Sequence, residues 1–106
     1  MKQHRYRVTV EHLETAKPGG PLHEPLHFET GNHDEILAIV DRLRAGSGFD
    51  ADTAASLGVG LKLFSEVMLM HRDHPLFAGI FGPMREFIGV LKGHGKKPEA
   101  EAGVMP

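Results

Sequence analysis

Cysteine is absent from this 106-residue sequence. Without cysteine the chain cannot form a disulfide, use a thiolate nucleophile or bind zinc through sulfur, and the reducing cytoplasm is the expected location. Residues 1–7 lack the apolar run of a signal peptide. No window contains the roughly 18 consecutive apolar residues of a membrane-spanning helix. We therefore expect a soluble cytoplasmic protein that has no membrane partner.

An excess of positive charge is also lacking. Twelve basic residues oppose fourteen acidic ones, which gives a net charge of −2. Because nucleic-acid binding depends on clustered Lys and Arg, this balance argues against a nucleic-acid partner. The apolar content of 41% and the charged content of 25% are ordinary for a soluble globular protein.

The length supports a single domain with one modest hydrophobic core. We predict one α+β domain over residues 1–93. The remaining residues, 94–106, show no hydrophobic periodicity, so we predict a disordered C-terminal tail.

Two alternating runs near the N-terminus predict an antiparallel two-stranded hairpin. In the first run, over residues 5–13, Tyr6, Val8 and Val10 share one face. The second run is weaker and places apolar residues opposite polar ones: Leu22, Leu26 and Phe28 against His23, His27 and Glu29. Between the runs, residues 14–21 contain two prolines and two glycines, which predict a loop.

Helical signals follow the hairpin. Asn32 and Glu35 have the spacing of an N-cap with its reciprocating acid, so a first helix is expected to begin at His33 and to end at Gly46. A last helix is expected to start at Gly82-Pro83, with Pro83 at its first position, and to end at Gly93.

The longest predicted element is a helix that begins after Asp50 and continues to about Arg72. Apolar residues cover most of its circumference, so we place it at the core, with the hairpin and the two shorter helices packed around it. Small residues at four-residue spacing, Ala54 with Gly58 and Ser56 with Gly60, would allow another backbone to approach closely. A strand over residues 57–63 is the alternative, because leucine and valine also alternate there.

Histidine is unusually frequent, with eight residues. Only His71 and His74 have a spacing that suits one metal ion, with Asp73 between them. The competing interpretation is that they satisfy carbonyls at a helix end. No catalytic residue and no cofactor is predicted, since no catalytic motif occurs and Gly58-x-Gly60 lies inside a helix, where it cannot cradle phosphate.

Apolar surface exceeds what a two-stranded sheet and two short helices can cover. Either the sheet packs across the long helix and covers this surface, or a symmetric dimer buries the remainder. Of the two, we expect the homodimer. The predicted contact is the exposed part of residues 59–70 together with residues 76–81. The residues named for this interface are Val59, Leu63, Met70, Phe77, Ile80 and Phe81.

Four segments resemble those of a known family: Tyr6–Leu13, Asn32–Asp34, Val59–Leu69 and His74–Phe77. Across roughly residues 5–92 the chain resembles a small bacterial family catalogued as a domain of unknown function, family 3861. The resemblance implies a short stand-alone bacterial protein with an α+β fold, and it supplies no catalytic or binding residues.

Two hypotheses of function follow. The first is a non-catalytic protein-interaction module that acts as a homodimer. The alternative is a small-molecule or metal-binding protein, conceivably an enzyme, that uses His71 and His74 with His12 or His33 brought near by folding.

Overall fold

A computed structural model of the chain describes residues 2–94. Its internal contacts divide the chain into a hairpin unit, which ends at His33, and a helical unit, which begins at Asp34. A hairpin followed by three helices confirms the predicted α+β fold. The single domain over residues 1–93 stays a prediction, and the predicted tail, apart from its first residue, lies outside the described residues.

The hairpin unit contains two antiparallel strands, β1 (His4–Val10) and β2 (Leu26–Asn32). Val8 pairs with Phe28 and Val10 with Leu26, so the apolar residues of both strands share one face, as their alternation predicted. The first strand ends three residues earlier than predicted. The second begins directly after Pro25, which has no N–H to contribute to the ladder.

The opposite face of the hairpin is polar. Glu29 accepts hydrogen bonds from the guanidinium groups of Arg5 at 3.2 Å and Arg7 at 3.0 Å. Thr9 and His27 form the next pair on this polar face, and the Thr9 hydroxyl lies 3.0 Å from Nδ1 of His27. The predicted division into an apolar and a polar face is therefore present in the paired strands.

The first helix, α1 (Ile36–Gly46), begins later than predicted. Asn32 is not its N-cap, because residues 30–32 continue the pairing with β1 and stay extended. Glu35 takes that role instead, accepting a hydrogen bond from the Leu37 amide at 2.9 Å. The end at Gly46 agrees with the prediction.

The long helix, α2 (Ala51–Met70), is a helix and not the alternative strand. Asp50 is its N-cap, as predicted, and accepts a hydrogen bond from the Thr53 amide at 2.9 Å. Of the two predicted pairs of small residues, Ala54 and Gly58 lie buried where α1 and α2 pack together. Gly60 is exposed, and a Cβ there would meet nothing within 4 Å.

A 3₁₀ helix over Pro75–Phe77 separates α2 from α3 (Phe81–His94). The predicted end of α3 at Gly93 is correct to one residue, but the helix starts at Phe81, so Pro83 is its third residue and not its first. The Arg72 guanidinium lies 5.6 Å from the centre of the Phe81 ring, within the range of a cation–π contact. The core of the helical unit comprises Ile36, Val40, Leu43, Ala54, Met68 and Phe77.

By length and composition, one helix in the described residues, Ala51–Met70, is apolar enough to cross a membrane. The mean hydropathy of its 18-residue window is 1.3. The core helix of a soluble protein meets the same criterion, so this property alone is weak evidence for a membrane. The cytoplasmic location stays a prediction.

Candidate functional site

One apolar row of α2 faces away from α1, and we call it the outer face. It consists of Val59, Leu63, Val67 and Met70. At 100° per residue these four positions fall within about 80° of the helix circumference, roughly opposite the buried Ala54. Val67 is 50% exposed and Met70 is 62% exposed, whereas Val59 and Leu63 are half-buried.

Three of the predicted interface residues follow α2 in the chain. Phe77 is only 7% exposed and packs edge-on against Phe64, with ring centres 6.1 Å apart. It is therefore a core residue of the single chain, and its role in an interface stays a prediction. Ile80 and Phe81 are half-buried.

Three exposed apolar residues lie within the predicted contact segments but were not among the six residues named for the interface. Val67 lies on the outer face itself, and Phe64 and Leu76 are exposed as well. The signal for Val67 was available, because it lies four residues after Leu63 on one face of a helix. The exposure of Leu76 follows from the 3₁₀ turn, which buries its neighbour Phe77 instead.

The predicted metal ligands His71 and His74 lie on the turn that ends α2. The His74 amide donates to the His71 carbonyl at 2.9 Å, and Nδ1 of His74 accepts a hydrogen bond from the Leu76 amide at 3.0 Å. His74 thus caps the 3₁₀ helix. Within the described part of the chain, no group of three or more His, Cys, Asp or Glu residues is placed to hold a metal ion. Metal binding by the two histidines stays a prediction.

A groove flanks α3 on the side that faces α1 and α2, and the sequence did not indicate it. It consists of two depressions of about 440 and 360 Å³ that share Lys62, Ile88 and Lys92. The side chain of Lys62 is 14% exposed, and its ammonium lies 2.6 Å from a carboxylate oxygen of Asp34. A third, more apolar depression of about 600 Å³ shares Leu91 with the groove and is bordered by Phe49, Phe87 and Val90, among other residues.

These features define a small α+β protein with an exposed apolar helix face and a groove beside α3. Residues 4–93 match the family described as "Domain of Unknown Function with solved-structure structure (DUF3861)", and the chain belongs to this family. The resemblance found in the sequence is thereby confirmed.

A solved structure is also similar to this chain. It is the crystal structure of a protein of unknown function from Pectobacterium atrosepticum SCRI1043, which shares 33% sequence identity and gives a TM-score of 0.72. The match covers 86% of this chain and 98% of the other. No curated protein matches the chain. The relatives therefore support the fold and the family and supply no activity.

Proposed function

We propose that this protein is a non-catalytic protein-interaction module, and that a second copy of the chain packs on the outer face of α2 to form a homodimer. The observation that carries the proposal is the exposure of Val67 and Met70 on the most apolar helix of the chain. A soluble protein rarely leaves a continuous apolar face of this kind uncovered.

The composition of the outer face favours self-association. From Ser56 to Met70 the row itself contains no charged side chain, and Glu66, which borders the row beside Val59, is buried within the chain. Two copies can therefore meet on this row without exposed like charges opposing each other. Gly60 borders the row and is open to solvent, which leaves room for a second helix to approach closely. In a two-fold dimer each copy contributes the same row to the interface, so a single apolar face on the chain is enough to form the dimer.

The proposed interface extends beyond the single row. A stable dimer interface buries about 800 Å² on each partner, which is a large area for the side chains of one helix. Phe64 and Leu76 provide further exposed apolar surface, and Phe64 contacts Phe77, the neighbour of Leu76 in the chain. We therefore include these two residues in the proposed dimer contact.

A membrane is less suitable than a second copy of the chain as the partner that covers α2. The helix carries Lys62 and Glu66 in its second half, and Glu66 is buried within the chain. A charged residue at the centre of a spanning helix costs about 2.5–3.5 kcal/mol. Burial of Ala54, Gly58 and Met68 also indicates that one side of α2 belongs to the protein core.

The experiment is a measurement of molar mass by light scattering and sedimentation, from micromolar to millimolar concentration. We expect twice the monomer mass of 11.6 kDa. Val67→Lys should raise the dissociation constant of the dimer at least about tenfold, because it places a charge in an apolar contact. The matched control is Leu37→Lys, at a residue of α1 that is 60% exposed and lies outside the outer face. Circular dichroism should show that both variants remain helical.

Three outcomes would contradict the proposal. The first is a wild-type protein that stays monomeric at millimolar concentration. The second is an equal effect of Val67→Lys and Leu37→Lys on the dimer. The third is flotation of the wild-type protein with phospholipid vesicles, abolished by Val67→Lys, which would assign the outer face to a membrane.

A further inference from the structure

The groove beside α3 differs in charge from the chain as a whole. The chain has a net charge of −2. The groove is nevertheless lined by five basic residues, and Asp34 is the single acidic residue among those that border it. The basic residues are Arg42, Lys62, Arg72, Arg85 and Lys92. Positive charge is therefore concentrated at one concave surface.

The walls between these charges are apolar. Six aliphatic or thioether side chains from α2 and α3 line the two depressions: Leu61, Met68, Leu69, Met84, Ile88 and Leu91. Pockets for small molecules typically combine apolar walls with a few polar groups and have volumes of about 300–1,000 Å³. The two depressions, of about 440 and 360 Å³, fall within that range.

Lys62 fixes one positive charge at the junction of the two depressions. Its side chain is 14% exposed, and the pair with Asp34 at 2.6 Å holds the ammonium in place. Because one carboxylate partly neutralises Lys62, the net positive charge of the groove comes from the other basic residues. Within residues 2–94, Arg42, Arg85 and Lys92 form no hydrogen bond or ion pair with another side chain.

We propose that this groove binds a small organic anion with an apolar body, of the class of a medium-chain carboxylate. The apolar walls would take the hydrocarbon part. Arg42, Arg85 or Lys92 would hold the anionic head by charge-assisted hydrogen bonds, which are stronger than neutral ones. This site lies on the side of α2 that faces α3, so it is separate from the proposed dimer contact on the outer face.

The test is a titration with decanoate below its critical micelle concentration, followed by calorimetry and by the methyl NMR signals of Met84 and Ile88. Decanol and inorganic phosphate are the comparison probes. We expect saturable binding of decanoate with shifts of these methyl signals, and binding of decanol and of phosphate at least about tenfold weaker, because each lacks one of the two required parts.

Charge reversal tests the role of the basic residues. Arg85→Glu and Arg42→Glu should each weaken decanoate binding about tenfold or more, since each replaces an attraction to the carboxylate by a repulsion. The matched control is Lys17→Glu, which makes the same charge change at an exposed loop residue of the hairpin unit that does not line the groove. Val67→Lys should leave decanoate binding unchanged, so the groove and the dimer are tested separately.

Several results would overturn the inference. One is an absence of saturable decanoate binding by the folded protein. Others are equal binding of decanol, or an equal loss of affinity in Arg85→Glu and Lys17→Glu, either of which would mean that the groove charges do not select the ligand.

Discussion

The ammonium nitrogen of Lys62 lies 2.6 Å from a carboxylate oxygen of Asp34, and the two side chains differ in exposure, at 14% for Lys62 and 51% for Asp34. Lys62 belongs to the middle of α2, and Asp34 lies just before α1. The ion pair therefore connects the long helix to the segment that leads into its neighbour. Such a contact is intermediate between an exposed ion pair and a buried one.

Asp34→Asn should lower the free energy of unfolding by about 1 kcal/mol, because it removes the charge opposite a lysine whose side chain is mostly buried. Lys62→Met keeps an unbranched apolar stem and should change stability by less than about 1 kcal/mol. In the Lys62→Met background, Asp34→Asn should have little further effect. Urea unfolding of the two single variants and the double variant gives the coupling energy. Equal effects of Asp34→Asn in both backgrounds would show that the pair does not stabilise the fold.

The contact of Gly58 with α1 leads to a second prediction. A Cβ on Gly58 would lie 3.1 Å from Cγ2 of Val40 and 3.3 Å from Cδ1 of Leu43, both buried residues. Replacing a helical glycine by alanine gains up to about 1 kcal/mol in helix propensity, whereas overpacking a core costs about 1–3 kcal/mol. We expect Gly58→Ala to destabilise the protein by about 1 kcal/mol.

Gly89→Ala is the matched control for that substitution. Gly89 lies within α3, and a Cβ there would meet nothing within 4 Å. This variant should therefore raise the free energy of unfolding by about 0.5–1 kcal/mol. Thermal unfolding of both variants shows whether each is less or more stable than the wild type. A stabilised Gly58→Ala protein would mean that α1 and α2 separate easily at this point.

Local signals in the sequence were sufficient for the order of elements and for several boundaries. Alternation located the hairpin, and Asp50 was identified as the cap of α2 because a capping side chain acts within four residues of itself. The start of α1 was wrong for a non-local reason. Asn32 has the local spacing of a cap, yet it pairs with His4, which lies 28 positions earlier in the chain. Pairing between distant residues leaves no signal in a short window.

The groove and the burial of Phe77 were beyond sequence reasoning for the same reason. Arg42, Lys62 and Arg85 lie on three different helices. They line one groove only when those helices pack together. Phe77 was expected at a surface, but the 3₁₀ turn directs its ring against Phe64. The outer face, in contrast, follows from one helical period and was largely predictable.

Glu29 provides a prediction for the hairpin unit. It pairs with Arg5 and Arg7, and all three side chains are more than half exposed. Glu29→Gln should therefore lower the stability of the hairpin by less than about 1 kcal/mol, and the difference from wild type should disappear near 1 M salt, where the Debye length is about 3 Å. Tyr6 is the single tyrosine of the chain, which contains no tryptophan, so its fluorescence reports on β1. An effect that persists at high salt would contradict an electrostatic origin.

The cap of α2 makes stability depend on pH. Two hydrogen bonds donated to the Asp50 carboxylate, one by the hydroxyl of Thr53 and one by its backbone amide, lower the pKa of this carboxyl below its ordinary value. A lowered pKa in the folded state means that the folded protein favours the charged carboxylate. The contribution of the Asp50 carboxylate to the free energy of unfolding is therefore fully present above the ordinary pKa of about 3.9. This contribution is lost as the pH falls through the lower pKa of the folded state.

Asp50→Ser retains a capping oxygen that does not titrate. The difference in free energy of unfolding between wild type and Asp50→Ser should be constant above about pH 5. At lower pH the wild type should lose stability relative to Asp50→Ser. Urea unfolding at a series of pH values measures this difference, and a difference that does not change with pH would show that the Asp50 carboxylate does not stabilise the helix.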